Sequence, residues 1–319
     1  TFTTTVHGRR VYDPISASTS YSANAALCVR DYLTSDIGLA DPDVDDTIFA
    51  SQSIVCDEDV DLATTGVQPR YECHGVFSAD MAPREIVTRM MTSCAGTLFW
   101  GQGAWQLRVG YYTAPVKTFT LADLRGGISV NTKVASRDNF NRVTGTFVSA
   151  NDGYVVTEYP PIESDEFLAN DKNIENTLDL ALPFTTSDAA AQRLAKMTLF
   201  RGREQITVSA DFGLEAFGVQ VGDVVALDVD RYGWSPKEFE VVGWSFNRAD
   251  GGEIVISMTL RETSFAAFSW EAEETEITSN NTGLPDAWSV PAIGLGLTSE
   301  TRVIFEKLTN VITVATTSS

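Results

Sequence analysis

His7 and His74 are the only histidines in this 319-residue chain, so a serine or cysteine nucleophile would have almost no choice of imidazole base. His74 follows Cys73 in a stretch read as a strand, which suits a structural histidine better than a catalytic one. No Gly-x-Ser-x-Gly elbow is present, and Gly101-Gln102-Gly103 has Gln106 where a dinucleotide-binding loop needs its third glycine. Asp41, Asp43 and Asp45 open like a calcium loop. Its sixth position, however, is Asp46 in place of the turn glycine, and its twelfth is Gln52 in place of the bidentate glutamate, so a solvated acidic loop is expected. Glu163, Asp165 and Glu166 are the nearest approach to paired carboxylates for sugar cleavage. They fall in a segment read as a flexible loop, whereas a general acid needs a fixed, partly desolvated place. Cys28, Cys56, Cys73 and Cys94 contain no Cys-x-x-Cys pair and read as free thiols, with Cys28 and Cys94 on the apolar sides of helices; a Cys56–Cys73 disulfide is conceivable. No residue is assigned a catalytic, cofactor-binding or metal-ligating role, and no cofactor is expected.

The elements that would position these groups are short. Asn24 or Ser22 can cap a helix to about Leu33, with Leu27, Cys28 and Tyr32 on one face. Thr47 to Val55 and Arg70 to Phe77 read as strands, and Pro83 suits the first turn of a helix from about Ala82 to Cys94. Leu98 to Trp100 and Trp105 to Val109 bracket the Gly101–Gly103 turn. Arg142 to Ser149 and Tyr154 to Tyr159 should pair across Asn151-Asp152-Gly153, and Pro160-Pro161 ends that ladder. Glu163 to Asn176 is expected to be a loop.

The most telling stretch runs from residue 185 to 262. Ala191, Leu194, Ala195, Thr198 and Leu199 sit at helical spacing between Asp188 and Arg201, and Gly202 is read as the stop. Strands follow at 205–209, 219–227, 238–246 and 253–260, the last two joined by Asp250-Gly251-Gly252; that order suggests a small barrel. Trp100, Trp105, Trp234, Trp244 and Trp270 read as core fillers, and Trp234, in the expected loop 232–235, is the one placed nearest a contact surface.

The chain is therefore expected to be α+β and β-rich: a small helix-on-sheet unit, then β-barrel domains, then the start of an immunoglobulin-like or fibronectin-like sandwich. The expected segments are entering strands at 1–20, an α+β domain at 21–112, a β-rich segment at 113–165, helix plus small barrel at 166–270, a linker at 271–288 and the opening of the sandwich at 289–319. An extended, Thr-rich start suggests a piece of something longer.

Several of these residues carry a resemblance. LALPFTTSDAAAQRLAK from Leu180 to Lys196, Gln205-Ile206-Thr207-Val208, Val221-Gly222-Asp223, Gly233-Trp234-Ser235 and Leu260-Arg261-Glu262 resemble the central hub proteins at the tail tip of long-tailed, siphovirus-type phages, the family of host-specificity protein J. The likeness extends upstream through Asn24–Leu27, Asp31–Thr34, Gly38-Leu39 and Asp138–Val143. It implies a non-enzymatic virion protein at the distal end of the tail, assembled in the bacterial cytoplasm as a homotrimer. The implied partners are a ring of distal tail protein, the C-terminal end of the tape-measure protein, other tail-tip or fibre proteins and, through distal parts, a host receptor. DNA would pass through the channel unbound. Assembly in a reducing cytosol also speaks against a disulfide. Two other readings are a tail-tip cell-wall or polysaccharide hydrolase and a carbohydrate-binding module using exposed tryptophans; neither has a motif behind it.

Composition agrees with that order of preference. The net charge of −20 disfavours phosphate neutralisation and hence nucleic-acid binding; it reads first as solubility, and the resemblance adds a channel wall to which DNA would not adhere. No apolar run approaches the roughly 18 residues needed to span a bilayer.

Overall fold

The computed structural model describes residues 8–63, 65–78, 80–132, 139–248 and 252–275, together with the backbone of Thr301–Phe305 and Ile312–Thr316. Residues 1–277 form one compact unit and residues 278–319 a second. His7, Asp138, the Asp250-Gly251 turn, the polar stretch around 280–285 and the expected strand 292–297 lie outside the described residues.

The first unit opens with a hairpin of β1 (Arg10–Asp13) and β2 (Ser18–Tyr21). Asn24 then accepts from the N–H groups of Ala26 and Leu27 and starts α1 (Ala25–Asp31), which runs into a single π-helical turn at Tyr32–Asp36. Where a strand was expected from Thr47 to Val55, the chain forms α2 (Asp46–Cys56). Asp45 caps it by accepting from Ile48 N–H at 3.1 Å, and Phe49, Gln52, Ser53 and Cys56 bury one face at helical spacing. Tertiary burial here overrides the β-branched character of Thr47, Ile48, Ile54 and Val55.

β3 (Asp59–Asp61) pairs with β4 (Val67–Pro69), α3 (Pro83–Ser93) follows, and β5 (Thr97–Gly101) pairs with β6 (Ala104–Arg108). The expected strand Arg70–Phe77 contributes only one bridge, Glu72 with Asn24. After β7 (Lys117–Thr120) and β8 (Ser129–Asn131) come β9 (Arg142–Thr144) and β10 (Thr146–Ser149), parted by Gly145 at φ +157°; β10 pairs with β11 (Val155–Glu158). The acidic segment read as a loop is largely ordered. Its elements are β12 (Ile162–Glu163), α4 (Asp165–Asn170), capped by Ser164, and β13 (Thr177–Asp179), which lies parallel to β9.

Helix α5 (Asp188–Arg203) starts at the Ser187 cap and passes through Gly202 instead of stopping there. A Cβ at position 202 would sit 2.3 Å from Cζ of Phe140, so this glycine makes room for a ring. The remaining strands are β14 (Thr207–Phe212), β15 (Val224–Val229), β16 (Trp234–Arg248) and β17 (Ile254–Glu262).

Two cores result. The first collects Val29, Phe49, Tyr71, Ile86, Leu107, Phe147, Leu182, Leu194 and Leu199, so α5 and β10 share one core with α1–α3. The second, of Phe119, Val208, Phe212, Val225, Phe239, Val241, Ile256, Met258 and Leu260, is wrapped by a six-stranded sheet in the order β7-β15-β16-β17-β14-β8. The expected barrel is therefore an open curled sheet, because its edge strands β7 and β8 do not pair with one another among the described residues. β7 ends after four residues in a turn that Thr120 and Asp123 cap reciprocally; the chain then crosses the gap, with Leu124 bridging Phe212 and Arg125 N–H donating to Asp211 O at 2.8 Å. In the second unit β18 (Thr301–Phe305) pairs antiparallel with β19 (Ile312–Thr316).

Candidate assembly surface

The residues with chemical potential are spent on structure. His74 Nε2 lies 3.6 Å from Glu72 Oε2, and that carboxylate raises the imidazole above its usual value against the opposing effect of burial. Asp45 is the α2 cap and also receives Gln106 Nε2 at 3.1 Å, while Asp46 takes both arms of Arg30 at 2.7 and 2.9 Å. Asp41 stays in solvent. Glu163 lies 3.8 Å from Arg142, and Asp165 and Glu166 fill the first turn of α4, where the helix dipole favours carboxylates. Gln102 and Gly103 both adopt positive φ in a tight hairpin turn. Among the described residues no group of three or more His, Cys, Asp and Glu side chains could hold a metal. All four cysteines are free; Cys56 is fully buried, and the neighbour of Cys73 is Cys28.

The β16–β17 hairpin is different, because its apolar pattern continues past the core. A bulge between Val241 and Gly243 resets the strand, after which Trp244 faces Met258, Phe246 faces Ile256 and Arg248 faces Ile254. Side chains alternate along a strand, so Trp244 and Phe246 share the side on which Ile256 and Met258 enter the second core. Phe246 itself is 51% exposed, and Ile254 is exposed as well. Phe217, 63% exposed after the turn Leu214–Ala216, packs edge-on to Trp244 at 6.3 Å and to Phe246 at 6.4 Å. The buried Trp244 indole N–H has no acceptor. The second core thus runs out into an aromatic rim that stands exposed among the described residues, the kind of patch that marks an interaction site. On the same sheet an open groove of about 480 Å³ is lined in part by Ser209, Asp211, Ser245, Ser257 and Thr259.

A second exposed element is the β10–β11 hairpin. Tyr154, Val155 and Val156 are all exposed, and β11 has no partner on its outer edge among the described residues. An apolar strand edge of that kind offers backbone N–H and C=O groups to another chain.

A charged pair joins the two cores. Arg201 Nη2, on α5, lies 2.6 Å from Glu240 Oε2 on β16; within the second sheet Arg261 approaches the same oxygen at 4.0 Å and Lys237 meets Glu262 at 2.5 Å. Glu204 lies beside them, accepting from Ser264 Oγ at 2.7 Å, and burial pushes its carboxyl up to about 7. Beyond the seam, the 273–275 strap is laid along α5: Gln192 and Thr275 exchange two hydrogen bonds of 2.9 and 2.8 Å, and Lys196 holds Glu273 at 2.7 Å.

Of the tryptophans, Trp234 is 8% exposed and packs on Tyr232 and Phe239, so the residue placed nearest a contact surface is a core residue. Among the described residues the exposed one is Trp100, edge-on to Trp105 at 5.7 Å. Sequence reasoning passed over Phe217 and Phe246; the available signal was that Val242, Trp244 and Phe246 alternate opposite an equally apolar partner strand.

Residues 82–238 match the model of a family described as putative phage tail protein. The chain resembles phage tail and baseplate hub proteins. Over 241 residues it is 23% identical to baseplate hub protein pb3 of Escherichia phage T5, a match covering 69% of this chain and 25% of that protein, so the chain spans about a quarter of its relative. Among solved structures, a chain from the virion of a native gene transfer agent particle has the same fold at a TM-score of 0.54 and 17% identity, over 79% of this chain and 50% of that one. A tail protein from Neisseria meningitidis aligns at a TM-score of 0.44 and 17% identity, over 60% of this chain and 59% of that one. The shared architecture is mixed α+β and β-rich.

Proposed function

We propose that the chain is a structural hub at the distal end of a phage tail, of the tail-tip host-specificity kind, assembled as a homotrimer around the DNA channel. The observation that carries this reading is the rim of Phe217, Trp244 and Phe246, an apolar surface with an unsatisfied indole donor, on a chain similar to a protein named as a baseplate hub. Aromatic side chains that continue a core into solvent supply the desolvated centre of an interface. The open edge of β11 offers a second contact, suited to backbone pairing with a neighbouring tail protein such as the distal tail ring or the end of the tape-measure protein. In this reading 21–112, 113–165 and 166–270 act as hub segments, 271–288 as a linker and 289–319 as the start of an immunoglobulin-like or fibronectin-like module, with receptor contacts farther out. The protein works by packing and opening, without covalent chemistry, and the net charge of −20 keeps passing DNA from adhering. Sedimentation equilibrium of the purified chain tests the reading: a threefold mass, alone or with a distal tail protein, supports it. A monomer at every concentration, in both mixtures, contradicts it.

A further inference from the structure

Cys28 and Cys73 stand far apart in sequence, yet the loop 22–24 brings them together. Asn24 bridges Glu72, Cys73 N–H donates to Ala23 O at 2.8 Å, and Cys28 Sγ lies 3.7 Å from Ser22 O. The two thiols are neighbours close enough to perturb one another's ionisation, and Ser93 lies beside Cys73. Both residues are half-buried, whereas Cys56 and Cys94 are fully buried. We propose that Cys28 and Cys73 form an oxidisable dithiol, closed to an intramolecular disulfide by a low-molecular-weight disulfide of the glutathione class.

The two sulfurs have distinct roles. The neighbouring Cys28 holds the Cys73 thiol below its usual value against the opposing effect of burial, helped by Ser93 and His74, while the same neighbour and burial push the Cys28 thiol far up. Cys73 is therefore the attacking thiolate. It displaces one glutathione thiolate from the glutathione disulfide and becomes a mixed disulfide. Cys28 then loses its proton and attacks the Cys73 sulfur, releasing the second glutathione thiolate. Two protein thiols are oxidised by two electrons, one disulfide reagent is reduced to two thiols, and both protons end on glutathione. The bond ties α1 to the chain that leads from β4 towards α3. It would stay open in a reducing cytosol and close in an oxidising medium, whether or not the chain forms a trimer.

Trypsin places each cysteine in its own peptide: Cys28 in 11–30, Cys56 in 31–70, Cys73 in 71–84 and Cys94 in 90–108. The full chain is incubated with oxidised glutathione, quenched in acid, unfolded, alkylated with iodoacetamide and digested without reductant for mass spectrometry. The expected product is 11–30 linked to 71–84, lighter by two hydrogens than the sum. The separate alkylated forms should fall at least about tenfold, the other two peptides should carry only the alkyl group, and dithiothreitol should reverse the link. A linked species involving Cys56 or Cys94, or glutathione retained on Cys73 of the native chain with Cys28 still alkylatable, overturns the pairing; so does the absence of any link. In Cys28→Ser the mixed disulfide on Cys73 should persist, and a variant that folds yet takes up no glutathione there overturns the assignment of Cys73 as attacker. Should that variant not fold, the digest of the native chain decides the pairing by itself.

Discussion

Arg201 and Glu240 meet at 2.6 Å across the seam between the two cores, with about four-fifths of each side chain out of water. Arg201 comes from the last turn of α5, in the first core, and Glu240 from β16, in the wall of the second. Because Arg261 also leans on Glu240, replacing the acid by Gln leaves two partly buried guanidinium groups short of a counter-charge. Glu240→Gln should lower stability by about 2 kcal/mol, and the double variant with Arg201→Met should recover part of that loss, because the isolated charge is then gone. Urea unfolding followed by tryptophan fluorescence measures both; equal losses in the single and double variants would remove the argument.

Glu204 makes the same seam sensitive to pH. Burial raises its carboxyl to about 7; the Ser264 hydroxyl, Arg201 and Arg261 oppose that rise and Glu262 adds to it. The folded chain then holds a proton that the unfolded chain gives up near the usual glutamate value of about 4.3. Stability from this group is complete below that value and drains away as pH rises to about 7. Glu204→Gln, which cannot ionise, should nearly match the native chain at pH 4 and exceed it at pH 8 by on the order of 2 kcal/mol. Parallel denaturation curves at the two pH values decide it, and an equal effect at both would show that Glu204 does not titrate in this range.

How far the fold was legible follows from where local signals and packing agree. Asn24 and Ser187 are caps with helical faces behind them, and both helices start where the caps predict. Thr47 to Val55 carries β-branched residues on a helix whose buried stripe includes the polar Gln52 and Ser53, so its residue types pointed to a strand. Gly202 looks like a stop in one dimension because the ring it accommodates, Phe140, is remote in sequence. The open sheet was illegible for a related reason: β7 and β8 come from the 113–131 region and complete a sheet whose other strands lie beyond residue 206. The aromatic rim escaped notice because exposure is a property of the assembled hairpin, whereas the dearth of catalytic bases could be counted directly.

Gly145 separates β9 from β10 at a place with no room for a side chain. Its φ is +157°, and a Cβ would lie 2.0 Å from Leu180 O and 2.8 Å from the Tyr159 hydroxyl, which itself reaches the Thr144 and Leu180 carbonyl oxygens at 3.0 Å. Moving Leu180 O would disturb the parallel β9–β13 ladder, so Gly145→Ala should cost at least about 3 kcal/mol. Gly153→Ala, at φ +75° with open space around it, should cost about 1 kcal/mol from backbone conformation alone. Thermal unfolding of the two variants side by side separates steric clash from conformational preference; similar losses would mean that the Leu180 carbonyl yields.

The aromatic rim carries the assembly reading, and single substitutions there separate association from folding. Phe246 packs on Phe217 at the edge of the second core but is half exposed, so Phe246→Asp removes apolar area at the contact while leaving Ile256 and Met258 buried behind it. A central aromatic in an interface is worth about 2 kcal/mol, so self-association should weaken roughly 30-fold with the circular dichroism of the chain unchanged. Ile54→Asp, on the exposed side of α2, should leave association as it is, since a single apolar residue in solvent is not a patch. Sedimentation of the three proteins at matched concentrations reads this directly. If the Phe246 variant associates as strongly as the native chain, the rim is not the contact between copies, and the open edge of β11 becomes the surface to substitute next.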